Sequence, residues 1–136
     1  MPKSNFKATI QQPIKKVWET VTDLKNYSWR SDIEKIEIIS DKEFIEYTKD
    51  GFKTVFTTTV FMPHERWEFD MENKNIKGHW VGLFFDHGDK TMIDFTEDIQ
   101  CRKFFLKPFF KIFIDRYLQK QQQHYFQDLQ RELERK

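Results

Sequence analysis

The sequence is poor in cysteine, glycine and proline, and each shortage excludes a class of protein. The single cysteine among 136 residues, Cys101, permits no internal disulfide and no cysteine-type zinc site. The four glycines form no glycine-rich loop of the kind that holds the phosphates of nucleotides or dinucleotides. With only four prolines as well, the chain is neither collagen-like nor of low complexity.

Net charge and long apolar runs are equally scarce. The chain carries 23 basic and 22 acidic residues, a formal net charge of +1, whereas a protein that binds nucleic acid is clearly basic. No window approaches the ~20 apolar residues that cross a bilayer, and the first ten residues contain no apolar signal segment. We therefore expect a cytoplasmic protein with no nucleic-acid partner.

Aromatic residues are abundant instead. The chain contains 15 Phe, 4 Trp and 4 Tyr, and disordered chains are poor in such residues. A length of 136 residues fits one folded domain with a substantial core. We therefore expect a single domain that spans residues 1–136.

The order of the predicted elements indicates an α+β fold. A first strand at Asn5–Ile10 precedes a helix that begins at Pro13, and a second short helix or turn is expected in residues 23–32. Alternating segments between Ile33 and Arg102 predict about six further strands, which gives about seven in all. From Pro108 to Glu134 nothing interrupts a helix of about 40 Å. This order predicts a curved antiparallel sheet around a long C-terminal helix.

Several signposts resemble a known family. A proline-started helix with a Val-Trp pair (Pro13, Val17, Trp18) precedes a loop with Asp23 and Trp29, and the segments MPHERWEF, GDKTMIDFTEDI and YFQDLQRELERK follow. In these features the chain resembles the START-like, helix-grip superfamily (SRPBCC), and within it the bacterial polyketide cyclase/dehydrase and lipid-transport group. The resemblance implies an apolar cavity between the sheet and the long helix that takes a hydrophobic molecule. Some members of the superfamily are enzymes, and others carry or sense a ligand.

Three polar residues lie on the predicted inward face of the long helix. The helical period places Tyr117, Gln121 and His124 among the apolar residues that would meet the sheet. They would then orient the polar end of a ligand. Alternatively, they bond to nearby strands or buried water, or this part of the helix overhangs the sheet.

One carboxylate shares the inward face of its predicted strand. Glu97 has the same parity as Phe95 and Ile99, so it is a candidate general base in the cavity. Alternatively, a bulge turns it outward, or a nearby cation pairs with it. The catalytic candidates are thus Glu97, His124 and Tyr117, and the sequence assigns none of them a role.

The predicted ligand contacts come from the first helix, the loop after it, the strands and the long helix. They are Trp18, Trp29, Thr54, Phe56, Thr58, Trp67, Phe69, Trp80, Phe95, Glu97, Phe113, Tyr117, Gln121 and His124. Thr54 and Thr58 would supply hydroxyls, although ordinary strand threonines show the same pattern.

The segment RKFFLKPFFKIFIDR combines apolar and basic residues. Phe109 and Ile112 fall off the inward face of the helix, among lysines, as in helices that contact an anionic membrane or a partner. The alternatives are that the preceding loop or the short helices cover them, or that they form a dimer face.

The four histidines show no metal-binding spacing. There is no HExxH motif, and His79 and His87 lie on one predicted strand about 26 Å apart, too far to share an ion. We expect no metal and no cofactor.

These patterns favour a protein that binds or transports a hydrophobic or amphipathic small molecule or lipid, as a monomer or weak homodimer. The alternatives are a polyketide cyclase/dehydratase-like enzyme with an aromatic or polyketide substrate, and an interaction module of the type that activates a chaperone ATPase.

Overall fold

A computed structural model describes residues 3–102 and 107–135, with no side-chain description at positions 101 and 107–115. Seven strands and two helices make up the described chain. In chain order they are β1 (Lys3–Ile10), α1 (Ile14–Thr22), β2 (Ile33–Ile38), β3 (Glu43–Thr48), β4 (Lys53–Met62), β5 (Arg66–Glu72), β6 (Ile76–Asp86), β7 (Thr91–Cys101) and α2 (Lys107–Arg135).

The strands form one antiparallel sheet in the order β1-β7-β6-β5-β4-β3-β2. Strands β2 to β7 follow one another as a meander, and β1 joins the far edge beside β7. The Asp50-Gly51 turn between β3 and β4 has Gly51 at a φ of 96°, a backbone conformation that glycine adopts without strain. The predicted α+β class, sheet and long C-terminal helix are therefore present.

The expectation of two short helices after β1 is wrong, because α1 is the only helix between β1 and β2. The Asp23 side chain ends it locally: Oδ1 accepts hydrogen bonds from the backbone N–H groups of Lys25 and Asn26, at 2.9 and 3.1 Å. Such bonds to a following backbone stabilise turns in competition with helix. A further turn, in which Arg30 N–H donates to the Tyr27 carbonyl at 3.0 Å, leads the chain toward β2.

The core lies between the sheet and the two helices. Val17 of α1, Ile93 of β7 and the α2 residues Leu129 and Leu133 are almost completely buried. Further toward the start of α2, Tyr117 is 49% exposed. The C-terminal part of α2 thus packs closely against the rest of the fold, and Tyr117 lies at the edge of the packed region.

Candidate functional site

A cavity of about 690 Å³ lies between the concave face of the sheet and α2. Its wall includes residues from all seven strands, from α2, from the end of α1 and from residues 23–32, which connect α1 to β2. Pockets for small molecules usually measure about 300–1,000 Å³. The cavity is therefore large enough for a ligand of drug or lipid size.

A row of aromatic rings crosses five neighbouring strands and forms the floor of the cavity. We call it the aromatic row: Phe44, Phe56, Phe69, Trp80 and Phe95. Successive ring centroids in this row lie 4.9, 5.2, 4.7 and 4.9 Å apart. Such spacing is favourable for aromatic pairs and keeps the rings in fixed positions. The floor is thus a rigid apolar surface.

Gly82 allows Trp80 to take its place in the aromatic row. A Cβ atom at Gly82 would lie 2.6 Å from Cζ3 of the Trp80 indole, well inside van der Waals contact. The indole of Trp80 therefore covers the backbone of Gly82 on the inner face of β6.

Replacing this glycine would displace the indole. We expect Gly82→Val to lower the free energy of unfolding by about 2 kcal/mol, the usual size of an overpacking effect. Urea denaturation followed by circular dichroism measures the loss, and the tryptophan emission of the folded state should change as well. Unchanged stability with unchanged emission would contradict this account of the floor.

A partly buried ion pair between the connection after α1 and strand β3 forms part of the cavity wall. Arg30 Nη1 donates to Glu46 Oε2 at 2.8 Å, and the two side chains are 18% and 13% exposed. The Arg30 guanidinium also lies 3.5 Å from Asp32 Oδ2 and 5.2 Å from the centroid of the Tyr125 ring. Burial alone would lower the pKa of Arg30, but Glu46 and Asp32 together outweigh it and hold the pKa above its ordinary value. The cation is thus already matched by carboxylates.

Glu97 projects from β7 into the cavity. Burial and the negative charge of Glu46 together raise the pKa of its carboxyl to about 7, although the positive charge of Arg30 opposes them. No hydrogen bond or ion pair joins this carboxyl to any of the side chains that the structure describes. Glu97 is therefore a titratable group whose protonation changes near neutral pH.

Polar side chains of α2 complete the wall and the rim. Gln121 Nε2 donates to Tyr117 Oη at 2.8 Å at the exposed rim. Deeper in the wall, Gln122 Oε1 accepts a hydrogen bond from Ser4 Oγ at 2.6 Å. Gln122 Nε2 and Arg30 Nε are buried without an acceptor among the described residues. The α2 side of the cavity thus ends in polar groups, in contrast to the aromatic floor.

Most of the predicted contact residues line this cavity. They are Trp29, Thr54, Phe56, Trp67, Phe69, Trp80, Phe95, Glu97, Tyr117, Gln121 and His124. The register of β6 and β7 runs without a bulge past Glu97, so the alternative that a bulge turns it outward does not hold. Gln121 and His124 are exposed, which places both at the rim of the cavity and not in its depth. Contact with a ligand stays a prediction for all of them.

Two predicted contacts, Trp18 and Thr58, are not among the residues that line the cavity. Trp18 packs against Phe61 and Phe84, with ring centroids at 5.3 and 4.8 Å, because the apolar face of α1 meets this part of the sheet. Thr58 Oγ1 accepts a hydrogen bond from Trp67 Nε1 at 3.2 Å, next to a register shift in β4. Neither lines the cavity.

The predictions for three further residues cannot be compared with the structure. The side chains of Phe109, Ile112 and Phe113 lie outside the described residues. Contact with a membrane or a partner through Phe109 and Ile112 therefore stays a prediction.

The sequence analysis missed Arg30, Glu46 and Tyr125. Strand alternation could have identified Glu46, because it shares the parity of Phe44 on β3. Tyr125 lies on the inward face of α2 with the other predicted residues. Arg30 follows no periodic pattern, since it belongs to the turns between α1 and β2.

The described part of the chain contains neither a metal-binding cluster nor a helix that could span a membrane. No group of three or more His, Cys, Asp or Glu side chains there could hold a metal ion. Neither described helix is long and apolar enough to span a membrane.

Similar folds occur in solved structures. A conserved protein from Geobacillus kaustophilus shares 12% identity at a TM-score of 0.84, with 98% of this chain and 95% of that one covered. A START superfamily protein from Mycobacterium smegmatis shares 15% identity at a TM-score of 0.81, with 98% and 97% covered. The Zhui aromatase/cyclase from a Streptomyces species shares 12% identity at a TM-score of 0.84, with 98% and 93% covered.

Identities this low show a common fold alone. No curated protein matches the chain by sequence. The sequence model of one family, described as polyketide cyclase / dehydrase and lipid transport, matches residues 1–134, which is nearly the whole chain. The chain therefore belongs to the polyketide cyclase/dehydrase and lipid-transport family.

Proposed function

We propose that the protein binds a hydrophobic or amphipathic small molecule or lipid in the cavity between the sheet and α2, acting as one domain. One observation carries the proposal: about 690 Å³ of space persists above the aromatic row, although the chain has many aromatic side chains that could fill it. A floor of apolar rings that is bordered by Glu46 and Glu97 of the sheet and by polar groups of α2 suits an amphipathic ligand. Transport additionally requires release to an acceptor.

Desolvation of apolar surface would drive this binding. A ligand that buries about 300 Å² of apolar surface gains about 7 kcal/mol, at about 25 cal/mol per Å². Loss of translational and rotational freedom costs at least about 4 kcal/mol. Hydrogen bonds at the polar wall therefore contribute much of the selectivity.

The position and the raised pKa of Glu97 support a second candidate function, that of a cyclase/dehydratase-like enzyme. An acid or base works best when its pKa lies near the working pH, and burial raises the pKa of Glu97 to about 7. His124 and Tyr117 border the same cavity and would be further candidates for proton transfer. A solved structure with the same fold is an aromatase/cyclase. Turnover of an aromatic or polyketide substrate by the protein, abolished in Glu97→Gln, would support this candidate.

The open cavity gives less support to an interaction module of the chaperone-ATPase-activator type, which would need no internal space. Oligomeric state and cytoplasmic location stay predictions.

Ligand binding can be tested without knowing the natural ligand. Native mass spectrometry and organic extraction of the purified protein should reveal a bound apolar molecule. The neutral dye Nile red should bind the emptied protein at about one molecule per chain with a blue-shifted emission. No extracted molecule together with no dye binding would contradict the proposal.

A variant that fills part of the cavity tests whether the dye binds there. Thr54 lines the cavity, and Thr57 lies on the opposite, exposed face of the same strand. We expect Thr54→Trp to weaken Nile red binding at least about tenfold, because the indole occupies space that the dye needs. The matched variant Thr57→Trp should leave dye affinity unchanged. Equal affinities in the two variants would show that the dye binds outside the cavity.

A further inference from the structure

The charged groups around the cavity limit which kinds of head group its ligand can carry. Among the side chains that the structure describes, the cations that line it are Arg30 and Lys120, and Arg30 is already held by Glu46 and Asp32. An anionic head group would therefore enter a wall in which carboxylates outnumber cations among the described residues. Like charges in partly buried surroundings repel strongly, so a carboxylate or phosphate ligand fits this wall poorly.

Glu97 carries a polar group in the cavity that the fold itself does not use. Its carboxyl faces the cavity, and no described side chain bonds to it. In its neutral form a carboxylic acid is a hydrogen-bond donor, and an apolar site can keep it neutral. The indole of Trp80, its neighbour in the β6–β7 register, belongs to the apolar floor.

We infer that the polar end of the ligand is an uncharged hydrogen-bond acceptor, such as a ketone or ester carbonyl, which accepts a hydrogen bond from the neutral carboxyl of Glu97. This inference rests on the proposed function, because it concerns the ligand of the same cavity. The excess of carboxylates would tolerate a cationic head group, but such a group would need ionised Glu97, and burial disfavours that form of its carboxyl.

The charged and titratable groups that share the cavity with Glu97 come from three other parts of the fold. They are Asp23, Tyr27, Arg30 and Asp32 from the connection between α1 and β2, Glu46 and Asp50 from β3 and the turn after it, and Tyr117, Lys120, His124 and Tyr125 from α2. Of these, Glu46 and Arg30 act on Glu97 with opposite signs, so burial dominates and the pKa of Glu97 is about 7. A ligand that needs the neutral acid should therefore bind more weakly as the pH rises above this value.

Three probes with similar alkyl chains test which head group the cavity prefers. We would titrate the complete protein, emptied of ligand, with undecyl methyl ketone, lauric acid and laurylamine by calorimetry. At about pH 6 the ketone should bind at least about tenfold more tightly than the acid or the amine. Its Kd should then rise about tenfold between about pH 6 and about pH 8, because only the protonated fraction of Glu97 binds.

Two variants test whether Glu97 causes this pH dependence of ketone binding. In Glu97→Gln the amide remains an uncharged donor, so the ketone should still bind and the ratio of its Kd values at the two pH values should fall to about one. Asp94→Asn removes a carboxyl from the same strand outside the cavity, where Asp94 Oδ1 accepts from Asn5 Nδ2 at 2.6 Å. That variant should keep the tenfold ratio.

Failure of the inference can be distinguished from failure of the proposed function. Tighter binding of lauric acid or laurylamine than of the ketone, or an unchanged pH ratio in Glu97→Gln, would overturn the inference alone. Binding of Nile red without binding of the ketone would do the same. If neither Nile red nor any of the three probes binds, both the inference and the proposed function are overturned.

Discussion

Arg30→Met is expected to lower the free energy of unfolding by about 4 kcal/mol, the largest effect of any variant considered for this protein. The substitution removes the partner that donates to Glu46 at 2.8 Å and leaves a carboxylate in a mostly buried site. A buried charge without a partner costs much more than the ion pair itself contributes. Urea denaturation at about pH 8, followed by circular dichroism, measures the loss.

Two further variants test whether the loss comes from leaving a charge unpaired in a buried site. Replacing both partners, in Arg30→Met with Glu46→Leu, should recover most of the loss, because no isolated charge remains. Arg66→Met serves as a matched control, since Arg66 pairs with Glu68 at 2.9 Å from a side chain that is 46% exposed. We expect this control to change stability by less than about 1 kcal/mol. Equal losses in Arg30→Met and Arg66→Met would show that burial of the Arg30 pair adds nothing.

Glu97→Gln should stabilise the protein by up to about 3 kcal/mol at about pH 8 and much less at about pH 4. The pKa of Glu97 is about 7 in the folded chain, above the ordinary value of 4.5. The folded state therefore keeps a proton that the unfolded chain releases, and the stability of the natural protein falls as the pH rises from 4.5 through about 7. The amide carries no charge to bury, so the variant lacks this loss.

The measurement is a series of denaturation midpoints of both proteins between about pH 4 and about pH 8. The difference in stability should grow with pH and level off above about pH 7. Asp94→Asn controls for removal of a charge from the same strand. A difference that does not change with pH would mean that Glu97 ionises in the folded protein as it does in the unfolded chain.

Local patterns in the sequence were sufficient to predict the elements of the fold. The alternation in ERWEFDM predicted one face with Trp67, Phe69 and Met71, and all three are buried on β5. The Asp50-Gly51 pair predicted the turn between β3 and β4. These features depend on the spacing of residues within one segment, which the sequence displays directly.

Most residues of the cavity floor could be predicted from the sequence in the same way. Phe56, Phe69, Trp80 and Phe95 were predicted as contacts from strand parity, and they belong to the aromatic row. Parity placed Thr58 on the inner face, and there it pairs with Phe69 and accepts a hydrogen bond from Trp67 Nε1. Parity could not show that this side chain would bond to Trp67 and not border the cavity, because that depends on how the two strands pack.

By itself, then, the sequence determined the order of strands and helices, the faces of most strands and the family resemblance that the whole-chain match confirms. Only the tertiary structure decided that Arg30 pairs with Glu46, that Trp18 packs away from the cavity and that space remains beneath α2. The reason is physical. Periodicity shows which side of a segment is apolar, but a cavity and a buried ion pair depend on how far apart several segments come to rest, and that distance follows from the packing of the whole chain.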